Sequence, residues 1–327
     1  MRMKPKKIMC AIDFSDFTNI ILSHGKSLAS EFGSTLCLCH IVSEAVMVSS
    51  LGHSYFTYTD MESERIRHAK DRLEKMAEEF DIECEIIVLS GHAADEINET
   101  ACKNNVDMVI AATHGGSGIK RFLIGSVTDR LIKILTCPLL VLHARENHLA
   151  SPVEEKIKLK RILVGCDFSP DSKLAFNYAL SLAQEFQTQL YLAHVIRPAE
   201  HTRLSASDYM EIQGGDYTKW ARSEYLDLQK NATNEDLKEK SNLSSRLEEQ
   251  LSSMVPEESR NWCTPVIIQL EGQPYKELIN FAEQNQVDMI VLGVHGYSLL
   301  EQFLVGSTTD RVISQASCSV LVVRQIS

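Results

Sequence analysis

Short apolar runs of strand length alternate with longer amphipathic stretches along the chain. Lys7–Ile12 is a continuous apolar run, as expected of a strand covered on both faces. Residues 16–32 carry Ile20, Ile21, His24 and Leu28 at helical spacing, and the pattern stops at Gly33. Thr35–Val42 reads as the second strand. Met61–Phe80 is an amphipathic helix with Ile66, Ala69, Leu73, Met76 and Phe80 on one stripe. Glu83–Leu89 is predicted as a strand, Ala93–Lys103 as a helix and Val106–Ala112 as a strand. A glycine-rich loop follows, then a helix over Ser126–Leu135 and a last strand over Pro138–His143. The same order then starts again and ends in Ser319–Val323. Strands alternating with helices imply a parallel sheet wrapped on both faces. Right-handed crossovers leave few topologies open.

The restart is a true repeat. Lys7-Ile8-Met9-Cys10-Ala11-Ile12-Asp13-Phe14-Ser15 returns as Arg161-Ile162-Leu163-Val164-Gly165-Cys166-Asp167-Phe168-Ser169. Asp13 and Asp167 stand 154 residues apart, as do His40 and His194. Thr113-His114-Gly115 returns as Val294-His295-Gly296, and Gly125-Ser126 as Gly306-Ser307, both at an offset of 181. The change of offset means an insertion in the second copy between His194 and Val287. The predicted organisation is therefore a domain over 1–145, a polar linker over 146–158 containing Pro152, and a domain over 159–327. A longer excursion occupies about 197–261, with helical stretches at Tyr217–Leu228 and Leu243–Met254 and no chemistry in its charge runs. The fold class is α/β: two doubly wound, five-stranded parallel sheets of Rossmann-like type, in tandem.

Composition narrows the function. A net charge of -11 argues against a nucleic-acid surface, which needs a basic stripe. It leaves room for a small anion, because backbone N–H groups can hold phosphate without lysine. The nine cysteines form no CxxC pair, and Cys37 and Cys39 share one face of a strand, as core packing would place them. The basic start (Arg2, Lys4, Lys6, Lys7) runs into a strand-length apolar segment rather than a signal sequence. No apolar run reaches the length of a membrane span. A reducing cytoplasm, free thiols and no membrane or nucleic-acid partner are the expectation.

The chemistry concentrates after the fourth strand of each copy. In the second copy Gly293-Val294-His295-Gly296 is followed, nine residues on, by Gly306-Ser307, between a strand at Val287–Leu292 and a helix opening at Ser307. Glycines let a backbone approach a ligand closely, and a helix N-terminus offers unpaired N–H groups to phosphate. Ligands of open α/β sheets bind beyond the carboxyl ends of the strands, where Asp167 also lies. A competing reading needs no ligand. Ser126-Val127-Thr128-Asp129 and Ser307-Thr308-Thr309-Asp310 are similar to capping boxes, useful to the helix alone. His114 and His295 sit inside the loops and read as positioning residues rather than acid–base groups. His40 and His194 end a strand and read as core hydrogen-bonders.

These residues reach a family. The chain resembles the universal stress proteins in a tandem form. The carriers are Asp13-Phe14-Ser15 and Asp167-Phe168-Ser169, His40-Ile41 and His194-Val195, and the G-x2-G-x9-G-[S/T] loop. They continue with Val127-Thr128-Asp129-Arg130, Cys137-Pro138-Leu139-Leu140-Val141 and Cys318-Ser319-Val320-Leu321-Val322. The resemblance implies a cytoplasmic stress-response protein that binds ATP or AMP, with Mg as an accompanying ion, and has no general catalytic set. It also implies sheets that pair through their last strands, here Leu139–His143 with Ser319–Val323 as an intramolecular pseudo-dimer, or as a homodimer. By the same resemblance, the nucleotide contacts are Asp167, Val195, Gly293, Gly296, Gly306, Ser307 and Thr308. The first copy, expected to bind more weakly, offers Asp13, Ile41, Ala112, Gly115, Gly125, Ser126 and Val127. It departs from the pattern at Ala112, while Gly116, Gly118 and Arg121 (against Gln302) could compensate. Two other readings stay open: a scaffold acting by protein contact without nucleotide, and a weak nucleotide hydrolase. Against catalysis, neither copy carries a Walker A lysine motif.

Overall fold

In each copy the chain runs outward from its first strand, then crosses back to the other side, which leaves a cleft beside that strand. The computed structural model describes residues 4–43, 55–113, 124–143, 157, 159–196, 234–263, 265–296 and 305–325, with side chains of the long second helix of each copy described from Met61 and Ser244 on. Two units, Lys4–Ile157 and Lys158–Ser327, divide the chain. The first contains β1 (Lys7–Ala11), α1 (Thr18–Phe32), β2 (Thr35–Ser43), α2 (Tyr55–Glu79) and β3 (Cys84–Gly91), then α3 (Ala93–Lys103), β4 (Met108–Ala112), α4 (Ser126–Ile134) and β5 (Leu139–Leu142). Its strands are parallel, in the order β3-β2-β1-β4-β5. The second contains β6 (Arg161–Gly165), α5 (Pro170–Phe186), β7 (Gln189–Ile196), α6 (Asn234–Ser253) and a 3-10 turn (Glu257–Asn261). There follow β8 (Val266–Glu271), α7 (Pro274–Gln284), β9 (Met289–Gly293), α8 (Ser307–Gln315) and β10 (Ser319–Val323). Its parallel order, β8-β7-β6-β9-β10, repeats the first.

Both sheets are sandwiched, which is why their strands read as continuous apolar runs. Ile8, Met9 and Cys10 are buried in succession, as are Ile162, Leu163 and Val164. The Cys10 sulfur lies 3.7 Å from the Ile21 carbonyl, so that face of β1 meets α1. Cys39, of opposite parity in the paired register, lies within the field of Glu96 on α3. Helices α1 and α3 therefore cover opposite faces.

Several boundaries differ from the sequence pattern, among them the start of α2, at Tyr55 rather than Met61, and the end of β3, at Gly91 rather than Leu89. Helix α1 begins at Thr18 rather than Asp16, because Thr18 N–H closes a turn onto the Ser15 carbonyl at 3.0 Å. Strand β4 begins at Met108 rather than Val106. Asp107 is turned to accept Lys6 N–H at 2.7 Å and Lys7 N–H at 2.9 Å. Asp288 does the same for Lys160 and Arg161 at 2.7 and 2.9 Å, so a staple between the first and fourth strands recurs in both copies. Helix α6 starts at Asn234, before the apolar stripe that marks Leu243–Met254. The predicted helix at Tyr217–Leu228 lies outside the described residues.

All nine cysteines are free, and Cys102 is the exposed one. Burial pushes the Cys37, Cys39, Cys137 and Cys166 thiols up to about 12, and Cys10 higher still. Since the thiolate is the reactive form, iodoacetamide should label native protein first at Cys102. Peptide mass spectrometry showing early labelling of Cys37 or Cys166 would contradict this packing. No helix among the described residues is long and apolar enough to cross a membrane.

Candidate functional site

The site is built at the carboxyl ends of the first and fourth strands. After β6 the backbone turns sharply: Phe168 takes φ 64, and its counterpart Phe14 takes φ 60. A left-handed conformation is costly for an aromatic residue and tends to persist where the surroundings hold it. Here the preceding carboxylate holds it, since Asp167 Oδ1 accepts Ser169 N–H at 3.0 Å and Asp13 Oδ1 accepts Ser15 N–H at 3.0 Å. The turn uses Oδ1 of each carboxylate; the other oxygen is Oδ2. In the second copy that oxygen faces the loop after β9, where a Cβ on Gly296 would come within 2.8 Å of it.

The loop closes on itself. Gly306 N–H donates to the Val294 carbonyl at 2.8 Å, and a Cβ on Gly306 would stand 3.1 Å from that carbonyl oxygen and 3.6 Å from Gly296 N. Thr309 Oγ1 donates to the Gly293 carbonyl at 2.7 Å and clamps α8 onto the end of β9. Thr128 repeats this toward Ala112 at 2.6 Å, and Gly125 N–H reaches the Thr113 carbonyl at 2.5 Å. Asp167, Gly296, Gly306, Ser307 and Thr308 thus converge. Val195 lies one strand over on β7, at the register of Asp167 extended past Gly165↔Ala193. In the first copy Asp13, Ile41, Ala112, Gly125, Ser126 and Val127 take the matching places. Gly115, Gly116, Gly118, His114 and Arg121 lie outside the described residues, as do Tyr297-Ser298-Leu299 and Gln302.

The capping-box reading needs correction. The N-caps are Gly125 and Gly306, one residue earlier than a Ser cap requires, and neither helix has a side-chain cap. Asp129 and Asp310 are thereby one position too far along. Their N–H groups bond to the cap carbonyls, at 2.9 and 3.0 Å, as the first helical turn. Without a cap, the first N–H groups of α8 remain open to an anion.

Gly293 has a different job. A Cβ there would meet Asp171 Cβ at 2.6 Å, Asp171 C at 2.7 Å and Ser172 N at 2.9 Å, so the glycine admits the start of α5. Asp171 is the residue that sequence reasoning missed. It is 6% exposed. Its Oδ2 accepts His295 N–H and Nδ1–H, both at 2.9 Å, and its Oδ1 accepts Gln325 N–H at 2.8 Å. With Nδ1 engaged, the buried His295 Nε2 has no hydrogen-bond partner among the described residues. Burial lowers the pKa of neighbouring Arg324, and Asp171 opposes that shift. The repeat points away from Asp171, because its counterpart at the same offset is Phe17. The acid in the first turn of a helix beginning Ser-Pro-Asp was the available signal. His40 and His194 donate Nδ1–H to the Ile12 and Cys166 carbonyls, both at 2.7 Å, as core hydrogen-bonders do.

An α/β chain with two copies of one five-stranded, doubly wound parallel sheet is the class that this architecture defines. The family model of the universal stress protein family matches residues 4–143 and again 158–324, so the chain belongs to that family and carries its domain twice. The universal stress protein MJ0531 of Methanocaldococcus jannaschii is 32% identical over 137 residues, covering 42% of this chain and 81% of that protein. Rv2005c of Mycobacterium tuberculosis, another universal stress protein, is 26% identical over 223 residues, covering 68% of this chain and 63% of its own. A universal stress protein of Archaeoglobus fulgidus superposes with a TM-score of 0.62 at 19% identity, covering 98% of this chain and 96% of its own, which speaks to the fold alone.

Proposed function

We propose that the second domain binds ATP, or AMP, as a regulatory ligand in a stress response. The observation that carries this reading is the cradle where Asp167 Oδ2, Gly296 and Gly306 meet in front of an uncapped helix. A side chain at either glycine would intrude there. Nucleotide phosphates would take the N–H groups of Ser307 and Thr308, and Asp167 would take a ribose hydroxyl. No cluster of His, Cys, Asp or Glu suited to a metal occurs among the described residues, so magnesium would arrive on the phosphates. The first domain binds more weakly in this reading: its Asp13 is exposed, whereas Asp167 is half-buried.

Calorimetry on the intact chain tests the assignment. Gly306→Val should weaken ATP binding tenfold or more, since each lost donor to a charged oxygen costs roughly 1.5–3 kcal/mol. Circular dichroism checks that the variant folds. Undiminished affinity would refute the site. Asp167→Ala should remove most nucleotide uptake and Asp13→Ala little, and the reverse order would make the first copy the main site. If native protein binds neither ATP nor AMP, the scaffold reading takes its place. The pairing of the two copies through 139–143 and 319–323 belongs to the same proposal. Cleavage between Arg145 and Lys158 should then leave the halves associated on gel filtration.

A further inference from the structure

The first domain has a second cavity, on the other side of its sheet. It measures about 390 Å³ and is lined by Phe14, His40, Arg65, His68, Ala69 and Arg72, with residues 41–43 along one edge. His40 has the parity of Leu38 and Cys10, the α1 side; Ile41 has the parity of Cys39, the α3 side. The cavity therefore opens between β2 and α2, whereas the Gly125 loop leads into α4.

Its chemistry is cationic and aromatic. Arg65 and Arg72 are seven residues apart on α2, two turns along one side. Neither forms an ion pair among the described residues. The nearby acid Glu64 faces His68 at 3.5 Å and Arg67 at 3.7 Å instead. The Arg72 guanidinium lies 4.2 Å from the centroid of Phe14, and Phe14 lies 4.4 Å from His40. A guanidinium held over an aromatic face keeps its N–H groups as donors for a ligand. His40 spends Nδ1–H on Ile12, so Nε2 is the nitrogen that remains. Burial first, then Arg72 and Arg65, hold its pKa below the usual imidazole value against the pull of Ile12 and Asp13. The second domain keeps the stack, Phe168 on His194 at 5.1 Å, but buries it: His194 is 1% exposed. There Leu247 and Leu251 of α6 are buried, and Met254 sits 3.6 Å from the Cys166 sulfur.

We propose that this pocket is a separate binding site for a small organic phosphate, its anionic group held by Arg65 and Arg72 and its apolar part against the Phe14 wall. The volume falls in the range of small-molecule sites. A phosphate oxygen suits the guanidinium fork, and among the described lining residues the pocket presents positive groups to it without a competing carboxylate. Its lining differs from the first copy's nucleotide contacts except at Ile41, and in the second domain the equivalent Phe–His stack is buried.

Phenyl phosphate is the probe, titrated into the intact chain by calorimetry beside inorganic phosphate and phenol. Saturable binding of phenyl phosphate, at least tenfold tighter than either fragment, is expected. Arg65→Ala with Arg72→Ala should weaken it tenfold or more while ATP uptake stays as in native protein. Arg67→Ala, which removes one charge from the same helix outside the pocket, should leave it intact. Amide shifts on binding should centre on Phe14 and 40–43. Four results would each overturn the proposal: no binding, equal affinity for inorganic phosphate, an unaffected double variant, or equal loss in Arg67→Ala. Competition of phenyl phosphate with ATP would also overturn it, by placing the probe in the cradle.

Discussion

Asp171→Ala should destabilise the second domain by roughly 3 kcal/mol or more, because hydrogen bonds to a buried charged group are each worth roughly 1.5–3 kcal/mol. The carboxylate is 6% exposed and accepts three hydrogen bonds, two of them from backbone N–H groups. Alanine would leave those groups and the imidazole without partners in a place water enters poorly. The lost contacts also join three parts of the site: the start of α5, the loop after β9 and the chain just past β10. Nucleotide affinity should therefore fall although Asp171 touches no ligand in the proposed cradle. Chemical denaturation, followed by amide exchange of residues 159–196 against 4–43, would localise the effect. A loss under 1 kcal/mol in the second domain would show that this network does not hold the loop. Asp171→Asn should lie between, since the amide can still accept but cannot offset the charge on Arg324.

The second large effect is expected at Gly293. Gly293→Ala places a methyl 2.7 Å from the Asp171 backbone carbon, and a helix backbone cannot yield as a flexible side chain can. Overpacking of this kind costs roughly 1–3 kcal/mol. The loss should appear in domain stability as well as in nucleotide affinity, and unchanged thermal unfolding would contradict the packing. The first copy already carries Ala112 at this position and has Phe17 where the second has Asp171. Ala112→Gly should accordingly leave first-site binding unchanged. A gain in that variant would restore the view that the alanine crowds the ligand.

Those two positions show how far comparison of the copies reaches. The repeat located the Asp-Phe-Ser turns, the strand-ending histidines and the glycine loops. Each of these rests on a local demand that survives divergence: a carboxylate that caps its own turn, an imidazole that meets the carbonyl of the neighbouring strand, a helix start without a side chain. The repeat treated Gly293 as one more loop glycine. In the fold it is a packing position, and its partner lies 122 residues earlier in the chain.

The alternating apolar runs alone determined two doubly wound domains, because strands buried on both faces must be apolar throughout and their crossovers have one hand. Only the tertiary structure decided what each copy does with that frame. Asp171 and His295 become a pair through the turn after β6 and the end of β9, and Arg65 and Arg72 acquire a cavity through the packing of α2 over β2. Both depend on distances across the fold, which periodicity along a chain does not encode.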